Sequence, residues 1–144
     1  MNLNSLGSKN WLIHILFNRQ EYKECIQLID SVEKESKEKS EFLLFMKGLI
    51  YRIEGKISES LELFKQCHIL SPNNIECQKE IGKALYLLGK HNSAIEVYNA
   101  AAQVAPSDWQ IHYGKALCLF LMRNNEECIK SAHKALNMHK HELM

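Results

Sequence analysis

The chain has 144 residues, 46% hydrophobic and 24% charged, and its 18 basic and 17 acidic side chains leave a formal net charge of +1. That composition fits one ordinary globular domain with a real core and excludes chain-wide disorder, while the balanced charge offers no field to draw in nucleic acid or anionic lipid. The longest apolar run, 116–122, falls far below the roughly 20 residues of a spanning helix, so no direct membrane insertion is expected.

Residues 1–9 carry one lysine, several polar side chains and no apolar stretch of signal-peptide length. They are expected to be a flexible N-terminus without a secretory signal, which places the protein in the cytoplasm. Residues 10–32 read as a degenerate helix hairpin, with Trp11, Ile15 and Phe17 on its first helix and Tyr22, Cys25, Ile26 and Ile29 on its second. The charged stretch 33–40 is either a helix extension with paired charges or a solvated linker. The linker is the preferred reading, because the stretch has no apolar face to bury.

From residue 41 a period of 34 takes over. It superposes Gly48 on Gly82, Gly55 on Gly89 and Pro72 on Pro106. The same step aligns Ser60, Ala94 and Cys128, then Phe64, Tyr98 and Ala132, then Cys67, Ala101 and Ala135. Units are expected at 41–74, 75–108 and 109–142, each two helices and a short turn. Gly55 and Gly89 suit the left-handed residue that ends a helix, and in the third turn Asn is expected to take that role within Arg123-Asn124-Asn125. Pro72 and Pro106 stop the second helices, and Asn74 and Asp108 stand ready as N-caps. Gly48, Gly82 and Ala116 on first helices, and Ser60, Ala94 and Cys128 on second helices, are the small residues that let paired helices approach. Period, small columns and punctuation resemble the tetratricopeptide repeat (TPR), whose helix hairpins stack. The fold class expected is all-α, a right-handed solenoid of antiparallel helix hairpins. The last hairpin should then leave an apolar outer face exposed, either for further repeats or for another protein.

No apparatus for catalysis is visible. GxGxxG and GxxxxGK[ST] loops are absent from the sequence, so no nucleotide or other cofactor is expected. The cysteines Cys25, Cys67, Cys77, Cys118 and Cys128 form no CxxC pair and read as free structural thiols. Cys67 and His68 are adjacent, hence about 100° apart around a helix, and cannot form an activated pair. His133, His139 and His141 lack the supporting shell of a metal site. Catalytic residues and metal ligands are therefore expected to be none.

A TPR stack does offer a groove lined by repeat positions 2, 5, 9 and 12. Those positions hold Phe42, Phe45, Leu49 and Arg52, then Glu76, Lys79, Lys83 and Tyr86, then Gln110, Tyr113, Leu117 and Phe120. Aromatic and apolar groups beside Lys79, Lys83 and Arg52 suit an extended or helical peptide bearing acidic residues. Alternatively Phe42, Phe45, Leu49 and Phe120 bury against neighbouring helices. Co-chaperones that grip a C-terminal carboxylate need Lys and Asn at positions 5 and 9 of the first repeat. Phe45 and Leu49 stand there, or Trp11 and Ile15 one unit earlier, so that clamp is not expected.

Segments beyond the repeat pattern carry a narrower resemblance: Asn10-Trp11-Leu12-Ile13-His14, Tyr51-Arg52-Ile53-Glu54-Gly55-Lys56-Ile57 running on to Phe64, Leu87-Leu88-Gly89-Lys90-His91, and Ala94-Ile95-Glu96-Val97-Tyr98-Asn99. In these the chain resembles the amino-terminal region of the Bardet-Biedl syndrome 4 family, TPR subunits of the BBSome. That resemblance implies a scaffold of the coat that carries membrane proteins to and from cilia. It also implies, as partners, coat subunits, pericentriolar satellite proteins and dynein-dynactin components, at the cilium base, centrosome or centriolar satellites. A TPR adapter or co-chaperone-like module unrelated to cilia is the alternative.

Overall fold

The computed structural model describes residues 6–37 and 39–143, and every regular element among them is a helix. The chain divides into two compact units, Met1–Leu70 and Ser71–Met144. The first holds α1 (Leu6–Asn18), α2 (Tyr22–Ser36), α3 (Glu41–Ile53) and α4 (Ile57–Leu70), and the second holds α5 (Ile75–Leu87), α6 (His91–Val104), α7 (Trp109–Leu121) and α8 (Asn125–Leu143).

Within each hairpin the turn is built the same way. After α3 the Gly55 amide donates to the Arg52 carbonyl and the Lys56 amide to that of Tyr51, at 3.0 and 2.8 Å, with Gly55 at φ 85°. That pattern satisfies two carbonyls left over at the helix end and requires a left-handed residue. Gly89 repeats it after α5, Arg123 after α7 and Gln20 after α1. The third turn thus corrects the sequence expectation: the left-handed residue is Arg123 at φ 60°, not an asparagine. Asn124 instead accepts from the Glu127 amide with its side chain and caps α8. Since a non-glycine residue pays sterically for this conformation, Arg123→Gly should raise stability by about 1 kcal/mol, read as a higher urea midpoint with unchanged slope.

In the first unit α1 packs on α2, α2 on α3 and α3 on α4. Hydrogen bonds from the small residue of each second helix reveal the register. Ser60 Oγ donates to the Gly48 carbonyl at 2.8 Å, and Cys25 Sγ to the Ile13 carbonyl at 3.5 Å. The first hairpin therefore repeats the second with a step of 35, one residue more than the later period. Among the described residues its buried first-helix residue is Ile13, while Trp11, which does lie on that helix, is 68% exposed. Ile13 fills the place of Gly48, and the smaller Ile29 fills that of Phe64. Ile13, Cys25, Ile29, Val32, Leu43, Met46 and Ile50 form one buried cluster.

Two boundaries also move. Residues 1–5 of the expected flexible terminus lie outside the described residues, whereas Leu6–Lys9 already belong to α1, whose Lys9 pairs with Glu35. The expected linker shrinks as well, because α2 continues through Ser36 before Lys37 turns left-handed at φ 54°. The extension needs no apolar face: Val32 is buried just before it, and Glu33 reaches Lys47 of α3 at 3.7 Å.

In the second unit α5 packs on α6, α6 on α7 and α7 on α8. Asn74 and Asp108 cap α5 and α7, each accepting from the backbone amide two residues on at 3.0 Å. Tyr98 of α6 lies across the backbones of two first helices. A Cβ built at Gly82 would stand 2.7 Å from its ring, and one at Gly114 2.4 Å. Gly82 follows the repeat column; Gly114 does not. α8 presents Ile129, Leu136 and Leu143 outward at seven-residue spacing, 58%, 59% and 75% exposed.

Candidate functional site

The groove residues of the first unit turn largely toward its own core. Phe42, Phe45 and Leu49 are half-buried against the cluster of Ile13 and Met46. Phe42 meets the His14 ring at 4.9 Å, tilted by 49°, and Phe45 meets Phe64 edge-on at 5.6 Å. Arg52 sits 5.7 Å over the Phe64 ring, a cation–π contact that holds the guanidinium in place. Of the two readings, burial describes Phe42, Phe45 and Leu49 better. The register of the first hairpin further corrects the clamp positions, which hold Asn10 and His14 in place of Trp11 and Ile15.

The second unit brings the rest together, Phe120 excepted. Between α5 and α7 lies a cleft of about 290 Å³ lined by Lys79, Lys83, Tyr86, Tyr113 and Leu117, all expected from repeat positions. Trp109, Glu80, Leu87 and Tyr98 line it too and were missed. Trp109 had a usable signal: an aromatic beside the cap Asp108, one residue before the groove position Gln110. Tyr98 had none, because it belongs to a second helix and reaches the cleft only through the space left by Gly82 and Gly114. Phe120 does not line the cleft and is exposed at the end of α7.

The two lysines differ in kind. Lys79 donates to Asp108 and Gln110 at 2.8 Å each and pairs with Glu76 at 2.8 Å, so it ties α5 to the start of α7. Burial pulls its pKa down, but the hydrogen bonds and charges of Asp108 and Glu76 outweigh burial and leave it above the ordinary lysine value. A raised folded pKa gives stabilisation that is fully present below the unfolded value of about 10.4 and lost as pH climbs through the folded one. The melting-temperature deficit of Lys79→Met should hence stay constant from neutral pH to about 9 and shrink only above about 10.5. Thermal melts across that range check it. Lys83 is exposed, and no ion pair engages it among the described residues.

The thiols are placed for packing. Cys128 Sγ donates to the Ala116 carbonyl at 3.4 Å, and Cys67 Sγ to that of Glu41 at 3.5 Å. Burial raises the Cys25 thiol pKa and pushes that of Cys118 up to about 11, which keeps both in the poorly nucleophilic form at neutral pH. His139, discounted as a ligand, meets the Trp109 ring at 4.6 Å, tilted by 51°.

A family model described as the TPR repeat matches residues 82–122. Among solved structures, MamA superposes with a TM-score of 0.85 over 99% of this chain and 82% of its own, at 14% identity. YrrB, described as a TPR protein with an unusual peptide-binding site, does so with a TM-score of 0.79 over 88% and 64%, at 17% identity. The fold is that of the tetratricopeptide repeat. By sequence, this TPR chain is similar to the BBSome complex member BBS4 of Mus musculus, 38% identical over 94% of the chain and 26% of the relative. The Bos taurus protein of the same name is 36% identical over 96% and 27%, and bbs-4 of Caenorhabditis elegans is 30% identical over 79% and 25%. The chain spans about a quarter of the length of these curated relatives. None of its described helices is long and apolar enough to cross a membrane.

Proposed function

We propose that this TPR chain is a non-catalytic adapter that binds other proteins within a BBSome-like ciliary trafficking complex, at the cilium base, centrosome or centriolar satellites. The observation that carries the reading is the 38% identity to mouse BBS4 along 94% of the chain, joined to a fold whose hairpins present surface. The relatives are named as members of the BBSome complex, and the adapter's partners are accordingly subunits of such a coat, with satellite or dynein-dynactin components beside them. Affinity purification of the tagged chain from ciliated cells should recover coat subunits. Recovery of no coat subunit and no satellite protein sinks the proposal.

The aromatic cleft supports a second reading, a stand-alone peptide-binding adapter with other clients. Lys83→Glu then abolishes client capture in the same purification and leaves any coat association as it was.

A further inference from the structure

Among the described residues α8 carries a seam that no other helix covers. Ile129, Ala132, Leu136, His139 and Leu143 follow one another at spacings of three and four, and all five are exposed. That is the spacing with which one helix meets another along its length. One period earlier the counterparts of Ile129 and Leu136 are Ile95 and Ala102 of α6, where α7 packs on the helix and both residues are half-buried. The corresponding face of α8 is therefore shaped to receive a helix. Its charges run from one sign to the other, with Glu126 and Glu127 in the first turn and Lys140 and His141 in the last. Glu127 pairs with Lys130, whereas Glu126 and Lys140 are exposed with no ion pair among the described residues. Fourteen residues, two seven-residue repeats, separate Glu126 from Lys140 and put both on one flank of the seam.

We propose that this seam takes a second copy of the chain, the two α8 helices lying antiparallel about a two-fold axis. Leu136 of each copy then lies over the small Ala132 of the other, and Ile129 over His139, whose ring already rests 4.6 Å from that of Trp109. Each Glu126 comes beside Lys140 of the second copy, giving two symmetric ion pairs, and the opposed helix dipoles reinforce them. His133 faces its own counterpart near the axis. A parallel pair would instead gather the acidic first turns at one end and the basic last turns at the other, which is repulsive at both. The seam thus supplies both halves of its own match, large against small and acid against base, as a two-fold interface requires. That self-complementarity singles out a second copy as the occupant. The pairing does not depend on the adapter reading.

Light scattering and sedimentation equilibrium of the full chain test it. The mass should rise with concentration from 16.7 kDa to twice that value. Leu136→Glu should weaken association by at least about tenfold, and so should Glu126→Lys or Lys140→Glu alone, because each sets like charges opposite each other. All three positions are exposed, so the variants should keep the wild-type circular dichroism and melting temperature. Mixing the Glu126→Lys chain with the Lys140→Glu chain should restore association as a heterodimer, since one copy then brings two lysines and the other two glutamates. A wild-type chain that stays monomeric at about 0.1 mM, charge variants that associate as wild type does, or a mixture that stays monomeric overturns the inference. Association that survives Leu136→Glu overturns it too, by putting the contact elsewhere. Recovery of coat subunits judges the adapter reading separately from each of these outcomes.

Discussion

Phe64→Ala is expected to cost about 3–5 kcal/mol, the range for emptying a core aromatic site, and to unfold the first unit at a much lower urea midpoint than wild type. The side chain is fully buried and its ring end packs on the Gly48 backbone, where a built Cβ would stand 2.9 Å away. It meets Phe45 edge-on and lies under the Arg52 guanidinium. Truncation removes all three contacts at once, and Gly48 has no side chain to move into the void. Circular dichroism and tryptophan fluorescence against urea measure the loss, Trp11 lying in this unit and Trp109 in the other. A loss below about 1 kcal/mol would mean that the helices close over the cavity.

Gly114→Ala is expected to destabilise the second unit by about 1–3 kcal/mol through overpacking. The new methyl would fall 2.4 Å from Tyr98 Cζ and 2.6 Å from its hydroxyl oxygen. The ring cannot swing aside, because Gly82 holds its other flank as closely. Tyr98→Leu should rescue the variant in part, and the double-mutant cycle should give a coupling of about 1 kcal/mol or more between the two sites. Strict additivity would show that the ring is not wedged.

The small-residue columns were legible because one spacing recurs where the two middle hairpins meet the same need, a knob on the second helix against a bare stretch of the first, Phe64 on Gly48 and Tyr98 on Gly82. Gly48 and Gly82 could be found that way. Gly114 could not, since it answers to Tyr98 of the preceding hairpin, a contact made in one repeat and absent from the pattern. The same limit hid the register of the first hairpin. One extra residue before α3 displaces its columns, and Ile13 with Ile29 swaps the sizes of the Gly48 and Phe64 partners, so residue type gave no clue that the hydrogen bond from Cys25 to Ile13 would reveal.

Turn chemistry misled at Arg123, because the backbone pattern of the turn determines the conformation and tolerates an unfavourable residue there. For the cleft, repeat positions put Lys79, Lys83, Tyr86, Tyr113 and Leu117 on facing sides of α5 and α7, and they do line one hollow. Counting positions could not tell that Lys79 is held by Asp108, Glu76 and Gln110 while Lys83 stands apart. That distinction depends on which side chains meet across helices, and only coordinates supply it.

Tyr98 reaches the front of the second unit from the helix behind it, through a window framed by two glycines. Changes in that rear layer can therefore remodel the accessible face without altering any residue on it, and a surface survey restricted to α5 and α7 would overlook their source.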